Sequence, residues 1–227
     1  MAISARIKAL HTSLPQGVTL VAVSKFHPVE ALKEAYEAGQ RIFGESHVQE
    51  LQRKAAELPK DIEWHFIGHL QTNKVKYIVP YVSLIHAVDS ERLLAEIDKQ
   101  ASRCGRIVPC LLQLHIAQEE TKYGFTEAEL LELLQSHRLE QYQSVSVCGL
   151  MCMASNVDDE GQINREFHKA DTLFNSLKNS FFADNTEFAE KIIAISIIFI
   201  IILGISVIAG NVKFNNVKIR FSNNSNE

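Results

Sequence analysis

The chain has 227 residues, 46% of them hydrophobic and 22% charged, with five prolines and ten glycines. This composition excludes collagen-like, low-complexity and wholly disordered classes and leaves an ordinary globular protein with enough chain to bury a core. The 23 basic and 27 acidic residues give a formal net charge of -4, so there is no basic field to hold a nucleic-acid backbone, and nucleic acid is excluded as an expected partner.

The N-terminus, MAISARIKALHTSLP, carries Arg6 and Lys8 with no apolar run behind them. It does not read as a signal peptide, and a cytoplasmic setting is expected. Short β-branched runs follow at Val18 to Ser24, Arg41 to Gly44, Glu63 to Gly68, Leu84 to Val88, Ile107 to Ile116 and Val145 to Met153. Each is followed by a helical pattern. In VEALKEAYEAG, Val29, Leu32, Ala35 and Tyr36 recur at helical spacing, and Gly39 sits where a C-cap is expected. Ser90 and Thr126 are N-cap candidates with acidic residues in the following turn.

Six β-α units of this kind predict a parallel sheet covered by helices, either doubly wound or a (β/α)8 barrel. Neither G-x-G-x-x-G after the first strand nor G-x-x-x-x-G-K-[ST] occurs, which shifts weight to the barrel. A closed barrel needs eight units, so the expected fold is α/β, TIM-barrel-like and truncated after about six units. The place of the last two holds IIAISIIFIIILGISVIA, residues 192–209, eighteen residues without a charge and long enough to span a bilayer as a helix.

Lys25 ends the first strand in VTLVAVSKFHP, and strand C-termini face the ligand site in both architectures. An amine leaving an apolar strand either is solvated in a loop or has a lowered pKa suited to carbonyl chemistry. In IFGESHVQE, Glu45 and Ser46 stand at the second strand's mouth, where a cap for the next helix is the expected role of Ser46. EWHFIGHLQTNK places His65 in a strand and His69 in a loop. Gly68 and the strand pattern between them argue against a shared helical metal face. Met151 and Met153 in VCGLMCM read as core filling. Cys104, Cys110, Cys148 and Cys152 match no metal or disulfide framework and are expected to be reduced.

AVSKFHP, IFGESHVQE, WHFIGHLQTNK, IHAVDS, LLQLHIAQEETKYGF and VCGLMCM, in this order, resemble the pyridoxal 5'-phosphate homeostasis protein family, whose fold is like the N-terminal barrel of alanine racemase. The resemblance runs from Ile3 to Phe188 and divides the chain into a cofactor-binding barrel, 1–188, and a divergent apolar tail, 189–227. It implies that Lys25 holds pyridoxal 5'-phosphate as a Schiff base, that Ser46, His65 and Met151 border the cofactor, and that the protein is a monomer that binds the cofactor without turnover. Family members often have asparagine at the position of Ser46.

The family's seventh strand, L-S-M-G-M-S, and eighth, R-x-G-x-x-x-F-G, supply its phosphate cradle, and neither block is present. Three readings of the tail follow: a replaced or fused end, a membrane anchor over 192–209, or two improvised strands. An unfilled barrel would expose the edges of strands one and six. The rival functions are an amino-acid racemase on the same cofactor, for which 227 residues leave no space for the racemase's second domain, and a membrane-tethered remnant without binding activity.

Overall fold

The computed structural model describes residues 2–14, 19–116, 123–153, 155, 157, 159–188, 190–194 and 209–210. Seven strands lie side by side in chain order and run parallel: β1 (Ala22–Val23), β2 (Ile42–Glu45), β3 (Glu63–Phe66), β4 (Leu84–Val88), β5 (Val108–Leu114), β6 (Val145–Met153) and β7 (Glu190–Ala194). A two-residue β8 (Ala209–Gly210) pairs antiparallel with β7. The strand order is that of a barrel, and among the described residues no pairing joins β8 to β1.

Helices alternate with the strands: α1 (Ile3–Ser13), α2 (Val29–Glu37), α3 (Val48–Glu57), α4 (Glu91–Arg103), α5 (Glu127–Gln135) and α6 (Glu160–Phe181), with a 3-10 helix, Thr72–Tyr77, in the place between β3 and β4. Their apolar residues are buried in the core beside the sheet. In α4, for example, Leu93, Leu94, Ile97 and Ala101 are buried on one face. Ser90 caps α4 by accepting from the Leu93 amide, and Thr126 with Glu129 forms a full capping box on α5. Gly39 follows α2 with φ 104°, the left-handed geometry that glycine takes without a Cβ penalty.

The strands sort their side chains by parity. Leu20, Ala22, Phe43, Trp64, Cys110, Leu112, Leu150 and Cys152 join the large core under the helices. Val21, Leu84, Ala87, Leu111 and Met151 form a second cluster on the sheet's other face, with Val23, Ile67 and Met153 packed against it. Buried on both faces, the strands lose the polar alternation of a half-exposed sheet. No disulfide joins the four cysteines, and Cys110 and Cys152 are buried.

The sheet continues past the sixth strand: Glu190–Ala194 pairs in register with Gly149–Met153, so β6 is not an edge. Of the window 192–209, Ile192 to Ala194 and Ala209 are strand residues. The positions between lie outside the described residues. Among the described residues, no helix is long and apolar enough to cross a membrane.

Candidate functional site

Lys25 stands two residues beyond Val23, in the turn that follows β1. β1 is held at its end by the Ser24 amide, which donates to the Gly44 carbonyl at 2.9 Å. The chain then turns through Phe26, whose φ of 65° is unusual for a residue with a large side chain. That geometry is fixed by the Phe26 amide donating to Glu50 Oε1 at 2.8 Å. The turn leaves the Phe26 ring 72% exposed, 5.3 Å from the His47 ring and 5.8 Å from Lys25 Nζ. Lys25 itself is half-buried. Loss of water lowers its pKa below the ordinary lysine range, and the Glu45 carboxylate partly offsets that effect.

Behind Lys25, on the helix side of the sheet, lies a buried ionic cluster. Lys54 of α3 is fully buried and donates to Glu45 Oε1, Glu50 Oε1 and the Ser24 carbonyl, each at 2.7 Å. Ser24 Oγ also donates to Glu45 Oε1 at 2.6 Å. Glu45 Oε2 is buried with no hydrogen-bond partner. Burial pushes the Glu45 carboxyl upward, and the donors Lys54 and Ser24 oppose that push. The strand-end lysine thus stands beside a buried, charge-bearing cluster whose Glu45 carboxylate acts on it.

The other expected residues fall at neighbouring strand mouths. Ser46 is not the cap of α3: His47 occupies that position, and Ser46 Oγ pairs with His47 Nδ1 at 3.2 Å. Gly68, after β3, packs so closely on Ser46 that a Cβ there would lie 2.5 Å from the Ser46 carbonyl oxygen. His65 lies in β3, two residues before Ile67 and on the same face. His86, two residues after Leu84 in β4, reaches His65 Nδ1 through its Nε2 at 2.9 Å. Burial pushes His65 down to about 4 and His86 well below the usual histidine range. Met151 lies in the inner cluster with Val21 and Leu84.

The rim continues around the mouths of β3 to β5. His69 Nδ1 meets Asp89 Oδ2 at 2.9 Å, and the Tyr123 ring stacks on His69 at 4.0 Å. Gln113 of β5 donates to the Tyr123 carbonyl. Among the described residues no group of three or more His, Cys, Asp or Glu side chains is placed to hold a metal. A cavity of about 550 Å³ lined by Ile107, Val145 and Phe181 opens at the other end of β5 and β6. It lies at the strand N-termini, which stabilise such folds rather than carry their chemistry.

Sequence reasoning missed His86 and Lys54. Lys54 had a signal: with Val48 and Leu51 it follows the apolar spacing of α3, an unusual place for a charge unless that charge is paired. His86 sits inside the apolar run LIHAV, all five residues of which are buried.

Residues 1–187 match the family described as alanine racemase, N-terminal domain. The pyridoxal phosphate homeostasis protein of Vibrio alginolyticus is 37% identical over 172 residues, covering 74% of this chain and 73% of that protein. The Schizosaccharomyces pombe protein of the same name is 36% identical, covering 72% and 70%. Among solved structures, PipY of Synechococcus elongatus without PLP superposes with a TM-score of 0.78 at 37% identity, over 83% of this chain and 87% of that one. Its PLP-bound form gives 0.74 at 36% identity over the same shares. Alanine racemase of Streptomyces coelicolor, at 20% identity and a TM-score of 0.68, shares the fold. With the strand order, the position of Lys25 and these likenesses together, the chain belongs to the pyridoxal phosphate homeostasis protein family, built on the alanine racemase N-terminal domain.

Proposed function

We propose that this chain binds pyridoxal 5'-phosphate through Lys25 and takes part in the cell's homeostasis of that cofactor. The observation that carries the proposal is a half-buried lysine with a lowered pKa at the mouth of β1, in a chain 36% identical to a protein solved with PLP bound. When bound, the cofactor supplies an aldehyde that condenses with an amine and releases water. The chain supplies the amine, keeps it partly dehydrated, and so raises the neutral fraction able to attack.

The residues fit that group in specific ways. Lys25 is the anchor, backed by Glu45 and Lys54. His65 and Met151 belong to the inner face of the sheet, and Ser46 to the adjacent rim. A phosphate-binding group is not identified among the described residues, and the sequence beyond Phe188 departs from the family's seventh and eighth blocks. We read residues 1–188 as the cofactor-binding barrel and 189–227 as a divergent segment whose beginning serves as β7. Reduced cysteines suit a cytoplasmic setting.

The proposed role is that of a monomeric binding protein rather than an enzyme. A racemase would need a second acid or base on the far side of the bound cofactor from Lys25, and the racemase domain that supplies it lies outside the match. A titration of the purified chain with pyridoxal 5'-phosphate, followed by its visible absorption, tests the proposal. Saturable uptake that is lost in Lys25→Ala supports it. Equal uptake by both chains refutes Lys25 as the site, and alanine racemisation dependent on Lys25 would establish the enzyme instead.

A further inference from the structure

The buried histidine pair is not used by the anchor chemistry, and its cost demands an account. Two imidazoles on neighbouring strands, with ring centroids 5.0 Å apart at an interplanar angle of 61°, meet edge to face through one hydrogen bond. Across that bond one ring nitrogen must donate and the other accept, so the contact couples the tautomers of both rings. Two apolar side chains of similar volume would fill the same space without burying polar nitrogens.

His86 is 1% exposed and His65 8%. His86 is therefore the interior member, and His65 is the one that retains access to the inner face shared with Ile67 and Val21. We infer that His86 is a positioning residue: it donates from Nε2 to His65 Nδ1 and thereby fixes His65 with its Nε2–H directed as a donor toward an acceptor atom of the bound cofactor.

The direction of the bond follows from the ligand's chemistry and rests on the function proposed above. Pyridoxal 5'-phosphate presents acceptors in its phosphate oxygens and its phenolate oxygen. A His65 that offered a lone pair to any of these would be repelled, whereas one that offers Nε2–H makes a hydrogen bond. Left alone, an imidazole populates both neutral tautomers. His86 removes that choice before the ligand arrives, which is preorganisation of a single donor.

The test is a long-range proton–nitrogen NMR spectrum of histidine-labelled protein without cofactor, paired with cofactor titrations of variants. In the ligand-free chain His65 should carry its proton on Nε2 and none on Nδ1. His86→Phe should let His65 sample both tautomers and weaken cofactor binding about tenfold, the scale of one hydrogen bond. His86→Gln, which keeps a donor near the same place, should restore most of the affinity. A proton on His65 Nδ1 in the wild-type chain overturns the inference, as does unchanged affinity in His86→Phe. Should His86→Phe not fold, the wild-type spectrum and His86→Gln decide. Failure of the cofactor reading shows separately, as a wild-type chain that takes up no cofactor, while the ligand-free spectrum still decides the His86 contact.

Discussion

Lys54 and Glu45, one on a helix and one on a strand, are both fully buried and meet at 2.7 Å directly behind the strand that delivers Lys25. Such a pair is weak evidence of net stabilisation, because desolvating two charges offsets most of their attraction. Its effect is asymmetric, since removal of one partner leaves the other charge buried alone.

Lys54→Met is accordingly expected to destabilise the fold by about 3–5 kcal/mol, leaving Glu45 without its cation. Urea unfolding followed by circular dichroism measures this. A loss under about 1 kcal/mol would mean that Glu45 is accommodated as a neutral acid without Lys54.

The Glu45 carboxylate holds the Lys25 pKa up against a larger desolvation effect that lowers it. Glu45→Gln should therefore move the Lys25 pKa further down, so that its amine reacts with an acylating reagent at lower pH than in the wild-type chain. Competitive labelling with mass-spectrometric readout of the Lys25 peptide follows the shift, and an upward move would contradict the assigned geometry.

Gly68→Ala places a Cβ against the Ser46 backbone, an atom set that cannot rotate away. A destabilisation of about 1–3 kcal/mol is expected from this overpacking, together with displacement of the β2 mouth. Thermal unfolding and the cofactor titration read the two effects.

His65 is held down to about 4 by burial, against about 6.5 for an ordinary histidine. The folded state thus resists protonation that the unfolded chain accepts. Its contribution to stability is full above pH 6.5 and declines as pH falls toward 4, by about 3 kcal/mol for this one group. Burial lowers His86 in the same direction, so the total fall should be larger. His65→Gln should flatten part of the slope between pH 6.5 and 4, as measured by urea midpoints at a series of pH values.

Much of this architecture was legible in the residues. Leu84 to Val88 and Val145 to Met153 coincide with β4 and β6, and Ser90 and Thr126 cap the helices they were expected to cap. The first strand reads in the sequence as Val18 to Ser24; Val18 lies outside the described residues, Leu20 forms a bridge, and the ladder to β2 runs over Ala22–Val23. The helix after Thr126 ends at Gln135, and His137 takes φ 56°.

Lys25 was legible because its position depends only on the end of an apolar run. The contacts that tune it were not, because Glu45 and Lys54 are joined by the meeting of α3 with β2. The His65–His86 pair likewise arises from the register of two strands. The apolar run 192–209 suits a helix in lipid by length and a strand by branching, and over Ile192–Ala194 the parallel ladder on β6 selects the strand.

The account rests on Lys25 as the attachment point, and the most direct measurement is borohydride reduction of the folded chain saturated with pyridoxal 5'-phosphate, followed by peptide mapping. A pyridoxyl group on Lys25, and none on the buried Lys54, is the predicted result. A folded chain, verified by circular dichroism, that yields no adduct on Lys25 would contradict it.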